Sequence, residues 1–417
     1  MSGDETRKVG DFDIEELAVS PEGTVTTPKG FLAGAAKVGV RSDWDKLDVG
    51  LVFSEAPCVA AGVYTKNALK GASLQVSMEH LKKGSAQAIV ANSGCANCSV
   101  GKRGIDDAIK MAQLVGGKFG IDPHEVVVAS TGVIGTFLPM DRIAAGIAQI
   151  TVSPDGGLDF ARSIMTTDTR PKHVAVRGGA WSIGGVVKGV GMIHPNMATM
   201  LCFITTDAGV AQPFLASALK DAVDDSFNMI DVDNDTSPDD TVVVMANGLS
   251  GGETIDSGHP EADTLREALR TVCINLAKQQ IADAEGATKV IEARVERAAT
   301  RDDARKAARE IVVSVGVKTA IYGHDPNWGR IVSAVGNSGA AMKEETLALY
   351  LTGPDGEEVC LFRDGVPRIV DPAIAKACLA PREVRLRVTM GLGEAAATAW
   401  GSDLTEEFVR LNSMYTT

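Results

Sequence analysis

Aromatic side chains are scarce in this chain, at 5% of its 417 residues. That argues against a surface on which nucleobases stack. Positive charge is short as well: 41 Lys and Arg stand against 54 Asp and Glu, for a net charge of −13, and no basic block occurs anywhere. A nucleic-acid partner therefore has no electrostatic footprint to meet. Uninterrupted apolar runs of about 18 residues are missing, and the first residues are acidic with no apolar signal core, so neither a membrane span nor a secretory leader is expected. A cytoplasmic location follows. The seven cysteines are an odd number and describe no disulfide framework. Cys95 and Cys98 form a CxxC, yet no second pair or histidine cluster has zinc-site spacing, so neither a metal site nor a cofactor is expected.

What the chain has in quantity is small and aliphatic: 45% hydrophobic residues and 44 glycines. Such a composition suits a tightly turned, mixed α/β protein, and the length exceeds one ordinary core. Short β-prone runs are expected at 49–53, 59–64, 86–91, 125–129, 241–246 and 289–297, with the polar 92–94 and 130–132 as turns. Apolar residues at helical spacing predict helices: Ile105, Ile109, Ala112, Val115 and Phe119 on one face, Leu215 to Phe227 on a second, and 262–280 as a third. The charged, Ala-rich stretch 299–310 predicts a solvated helix. No repeat and no linker sets a domain boundary.

The most informative stretch is 186–208, VVKGVGMIHPNMATMLCFITTDA. Two β-prone runs flank a polar turn, which puts Ala198-Thr199 where a strand begins. A threonine hydroxyl within a chain is a poor nucleophile. It becomes a good one once the bond before it is cut, because its new α-amine serves as base. Lys188 lies in an apolar run eleven residues before Thr199, and such a lysine either reaches solvent or meets an anion. Ser130-Thr131-Gly132 follows a strand and could aim donors at an oxyanion. Thr166-Thr167-Asp168-Thr169 offers hydroxyls and a carboxylate to a zwitterion, and Glu285 stands in a loop between a helix and a strand.

Five aspartates fall within 231–240, DVDNDTSPDD, but a calcium loop of EF-hand type needs Gly and Glu where Thr236 and Val242 stand. That reading is rejected. YGHDPNWGR at 322–330 reads as a rigid turn with a packed Trp rather than a His-Asp pair.

These motifs share a resemblance. GVYTKN at 62–67, STGVIG, TTDT, KGVGMIHPNMATML, DAEGATK and YGHDPNWGR follow one another as in the ornithine acetyltransferase family, also called bifunctional glutamate N-acetyltransferase. The resemblance implies a layered sandwich of β-sheets between helices and self-cleavage between Ala198 and Thr199. The segments 1–198 and 199–417 would stay together as an α2β2 heterotetramer. It implies Thr199 as nucleophile and Thr131 and Gly132 as oxyanion hole. It also implies Thr166, Lys188, Thr199, Glu285, Asn412 and Thr417 as contacts for N-acetylornithine and glutamate. The expected reaction is acetyl transfer between those amino acids in arginine biosynthesis, with acetyl-CoA left open as a second donor. A self-processing aminopeptidase is the alternative. The chain departs from the pattern at Asn234, where Gly is usual, and at Asp240 and Cys95, where Asn is.

Overall fold

Alternation of apolar residues over three strands gives the first clue to the layering. In the computed structural model, which describes residues 17–194 and 200–414, Val52, Ile89, Ala91, Val127 and Ala129 face one core. Their neighbours Leu51, Ala88, Val90, Val126 and Val128 face another. Both faces of these strands are thus buried, the pattern of a sheet covered on each side.

The strands come in chain order as β1 (Leu17–Ser20), β2 (Phe31–Ala36), β3 (Val49–Tyr64), β4 (Ser85–Cys95), β5 (Val126–Val133), β6 (Lys172–Gly178), β7 (Trp181–Lys188) and β8 (Leu201–Thr206). They continue as β9 (Ile230–Asp231), β10 (Thr241–Ala246), β11 (Val290–Ala298), β12 (Ala348–Thr352), β13 (Glu358–Arg363), β14 (Val366–Pro367), β15 (Glu383–Thr389) and β16 (Ala395–Ser402). Among the described residues they form a nine-stranded sheet in the order β1-β6-β7-β8-β10-β3-β4-β5, with β2 also on β3, and a seven-stranded sheet in the order β14-β13-β12-β15-β11-β16-β9.

The larger sheet folds over on itself at β3. The first half of that strand pairs with β2, the second half with β10, and the pairing with β4 shifts register between Phe53 and Cys58. Residues of both halves then meet in one core, where Val52, Ile89 and Val127 pack with Val186, Phe203 and Val243, and the Phe160 and Phe203 rings sit 5.6 Å apart. Helices cover the outer faces. Helices α1 (Ala72–His80), α2 (Lys102–Phe119), α3 (Met140–Gln149) and α4 (Gly157–Ser163) belong to the first half of the chain. Met111, Val115 and Ile143 from α2 and α3 close the β3-β4-β5 side. Helices α5 (Gln212–Asp224) and α6 (Ala262–Ala282) close the β6-β7-β8-β10 side through Leu215, Leu219, Leu269, Val272 and Leu276. This is the expected layered sandwich, with the core of α6 continuing into the smaller sheet.

Several local expectations are corrected. The runs at 49–53 and 59–64 are one strand of 16 residues. The supposed turns 92–94 and 130–132 are the ends of β4 and β5, held there because the two strands pair in parallel through Asn92↔Ser130, Ser93↔Thr131 and Gly94↔Gly132. Ile109 is 39% exposed, and Met111 takes its place inside. Helix α7 (Arg301–Val313) is not solvated all round: Ala304, Ala307, Ala308, Ile311 and Val312 pack on the smaller sheet. Trp328 stacks on Phe362 at 5.2 Å, as the packed-turn reading of its segment requires.

Candidate active site

Thr131 lies near the end of β5 and Lys188 ends β7, and five strand steps separate these strands in the sheet order. In a flat sheet they would lie about 24 Å apart. The fold at β3 brings them together instead, and Lys188 Nζ donates to Thr131 Oγ1 at 3.1 Å. Both side chains are buried. Because the hydroxyl accepts from the ammonium, its own proton remains available to donate. Next to it, Gly132 has φ +128, and a Cβ there would fall 2.4 Å from the Gly94 carbonyl carbon, so only glycine fits this close pairing of backbones.

The sequence reading left Lys188 either to solvent or to an anion. Burial settles against solvent. It pushes the ammonium below its usual range, and Asp168, Asp240 and Glu285 oppose that shift while Lys172 adds to it. Asp168 is the best-held of these acids. Its Oδ1 accepts from Lys172 Nζ at 2.7 Å and from the Gly189 amide at 2.8 Å, and its Oδ2 from the Thr166 amide at 3.0 Å. Burial raises this carboxyl, but Lys172, Lys188 and the Gly189 amide outweigh burial and bring it down to about 2. Lys172 also reaches Asp283 at 2.6 Å, joining the turn at 166–169 to the end of α6.

Glu285 follows that end. Its Oε1 accepts from the Thr167 hydroxyl at 2.7 Å and its Oε2 from the Asn412 amide at 2.9 Å, while its own N–H donates to the Val190 carbonyl. Among the described residues Thr166 acts through its backbone, and the hydroxyl that reaches Glu285 is that of Thr167. The Thr166 carbonyl, with that of Met165, accepts from Lys46 Nζ, whose charge also lies 3.7 Å over the Trp44 ring. Burial lowers Lys46 to about 8, against the pull of Asp168.

The structure thus brings together Thr131, Gly132, Lys188, Glu285 and Asn412, all of them named from sequence. Ala198, Thr199 and Thr417 lie outside the described residues. The nearest described residue to the first two is Met200, whose N–H donates to Asp240 Oδ1 at 2.9 Å. Leu201 pairs with Lys188 across β7 and β8, so the chain re-enters the sheet beside the Lys188–Thr131 contact. Sequence reasoning missed Lys172 and Lys46 as site builders, and it offered the Asp168 carboxylate to a ligand rather than to Lys172. The signal was present for Lys172, since a lysine in an apolar strand with an aspartate four residues before it demands the same question that Lys188 raised.

The described cysteines are all free, and burial pushes the Cys95 and Cys98 thiols up, away from thiolate chemistry. No described group of three or more His, Cys, Asp or Glu could hold a metal, and no described helix is long and apolar enough to cross a membrane.

Comparison with known proteins agrees with the motif order. The family model described as "ArgJ family" matches residues 32–417. The arginine biosynthesis bifunctional protein ArgJ of Symbiobacterium thermophilum is 48% identical over 402 residues, covering 95% of this chain and 99% of that protein. The protein of the same name from Bacillus subtilis is 42% identical over 408 residues, covering 97% and 99%. Among solved structures, the ornithine acetyltransferase of Mycobacterium tuberculosis complexed with ornithine is 35% identical, covers 44% of this chain and 100% of that one, and superposes with a TM-score of 0.42. With matches of this identity running nearly end to end, the chain belongs to the ArgJ family.

Proposed function

We propose that this chain is an acetyltransferase of arginine biosynthesis that moves the acetyl group of N2-acetylornithine to glutamate through an ester on Thr199. The observation that carries the reading, alongside family membership, is the buried Lys188–Thr131 contact. A cation there polarises a hydroxyl whose proton remains available to donate, which is what a carbonyl oxygen gaining negative charge needs.

The chain first cuts itself. Thr199 Oγ attacks the Ala198 carbonyl carbon, the Ala198–Thr199 C–N bond breaks, and the ester formed is hydrolysed by one water. This leaves a carboxylate at 198 and a free α-amine and hydroxyl on Thr199. In each turnover that amine takes the hydroxyl proton as Oγ attacks the acetyl carbonyl. Thr131 and the Gly132 N–H hold the oxyanion, and ornithine leaves carrying the proton. Glutamate then attacks the acetyl ester and regenerates Thr199. The acyl group travels on the protein's own hydroxyl, so the cycle needs no cofactor; acetyl-CoA would enter only as another donor.

Glu285, held at both oxygens, suits the α-amino group of an amino acid, and Lys188 suits its carboxylate. Thr167, rather than Thr166, is assigned to this pocket, with Asn412 and Thr417 closing it. Segments 1–198 and 199–417 remain joined because β7 and β8, on either side of the cut, are paired neighbours; two copies of each make the proposed α2β2 assembly in the cytoplasm.

Incubation with N-acetylornithine, with and without glutamate, tests the reading. Glutamate-dependent release of ornithine supports transfer. Release without glutamate would make the chain a hydrolase, the aminopeptidase-like alternative, and no release would contradict both.

A further inference from the structure

Three of the five aspartates of 231–240, Asp231, Asp233 and Asp240, are assigned no role in the cycle above, yet they touch the chain on both sides of 195–199, the segment that holds the proposed cut. On the N-terminal side Asp233 accepts from the Met192 amide at 2.6 Å, the Ile193 amide at 2.9 Å and the Asp235 amide at 3.2 Å. The Ile193 carbonyl accepts from the Val232 amide at 2.8 Å. His194 Nδ1 lies 3.0 Å from Asp231 Oδ1, and the other oxygen of Asp231 meets Lys318 Nζ at 3.0 Å. Lys318 is itself buried and donates to the Ser402 carbonyl, so Asp231 is fixed from behind by the smaller sheet.

On the C-terminal side Asp240 does work that a backbone carbonyl would otherwise do. β8 and β10 run parallel, and the Thr241 amide donates to the Met200 carbonyl at 3.0 Å. The next rung of a parallel ladder would send the Met200 amide to the Asp239 carbonyl. That carbonyl is engaged by Thr241 Oγ1, and the Asp240 carboxyl takes the amide instead. The run can serve both sides because it turns back at Asn234, whose φ of +66 is one that Asn tolerates better than most residues.

We propose that the acidic run 231–240 is a splint for self-cleavage: the side chains of Asp231, Asp233 and Asp240 fasten both stems of the 195–199 segment. Asp233 and Asp240 are positioning residues for the attack of Thr199 on Ala198. The inference rests on the reading that the chain cuts itself before Thr199. Its physical basis is that an intramolecular attack gains its rate from a short list of accessible geometries, and a segment whose two ends are fixed has fewer of them. It also predicts an asymmetry. After the cut the N-terminal stem no longer carries a reacting group, whereas the C-terminal stem still carries Thr199 through Met200.

The test follows newly synthesised full-length chains by intact mass, and then the acetyl-transfer rate of the cut product, in wild type, Asp233→Ala, Asp240→Ala and Asp240→Asn. Loss of a buried anchoring bond should slow cleavage about tenfold or more in both alanine variants. Once cut, Asp240→Ala should also transfer acetyl more slowly while Asp233→Ala transfers at a rate within about twofold of wild type, a split that general loosening of the fold would not produce. Asp240→Asn keeps the acceptor oxygen and should restore both rates. Serine at either position replaces an alanine variant that does not fold and carries the same expectation. Wild-type cleavage rates in folded Asp233 and Asp240 variants would overturn the splint, whereas a wild-type chain that stays whole would overturn the Thr199 reading beneath it.

Discussion

Lys188 Nζ lies 3.1 Å from Thr131 Oγ1, although the two residues lie on strands that sit five positions apart in their sheet. The contact depends on the fold at β3, and it couples the proposed oxyanion donor to a buried charge. Replacing Thr131 by Ala removes that donor and is expected to lower kcat about 100-fold or more, with a smaller effect on KM. Steady-state kinetics with N-acetylornithine and glutamate check this. A change confined to KM would assign Thr131 to substrate binding instead.

Asp168 and Lys172 form an ion pair at 2.7 Å with both side chains almost wholly buried. Breaking such a pair from one side leaves a lone buried charge, so Lys172→Met should destabilise the chain by about 3–5 kcal/mol, measured by denaturant unfolding. The pH dependence has a definite sign. Asp168 falls from an ordinary 3.8 to about 2 in the fold. Its contribution is therefore present above about 3.8 and is lost as pH falls through about 2. Asp168→Asn should remove that part of the acid-unfolding profile.

Glu285 holds Thr167 on one oxygen and Asn412 on the other. Glu285→Gln should weaken amino-acid binding about 10- to 100-fold, seen chiefly as a higher KM. Asn412→Ala and Thr167→Val should each give a smaller rise in KM, and Thr166→Val should give less than Thr167→Val. An equal or larger effect at Thr166 would contradict the assignment to Thr167. Kinetics of the four variants on both substrates decide it.

Asp233 provides a second pH test, with opposite signs for rate and stability. Burial raises its carboxyl to about 6; the Asp235, Met192 and Ile193 amides oppose the shift, and the charge of Asp231, itself facing Lys318 and His194, adds to it. Protonation weakens its hold on the amides, so self-cleavage should slow as pH drops through about 6. The same group binds its proton more readily in the folded state, so its own contribution to stability rises as pH falls from about 6 towards 3.8. Asp233→Asn should flatten both trends. Cleavage time courses and unfolding curves across this range measure them separately.

How much of this was legible in the sequence depended on whether the signal was local. Helix α6 is written in the spacing of Leu265, Leu269, Val272 and Leu276, all of which are buried. Strand ends were less legible, because Asn92-Ser93-Gly94 and Ser130-Thr131-Gly132 have turn composition, and only their mutual parallel pairing keeps them extended. The individual site residues could be named, through motif order, but their meeting could not. Thr131 and Lys188 touch because a sheet folds at β3, and one backbone turn, capped by Asp168, puts the Thr167 hydroxyl on Glu285. The partners of the acidic run, which are backbone amides of 192, 193 and 200, leave no mark on the sequence.

The most direct test of the central claim is a denaturing intact-mass measurement of the purified wild-type chain beside Thr199→Ala. The account predicts two wild-type species with the masses of residues 1–198 and 199–417, and a single Thr199→Ala species at the full 43.5 kDa. A wild-type chain found whole, or a Thr199→Ala chain found cut at the same bond, would contradict it.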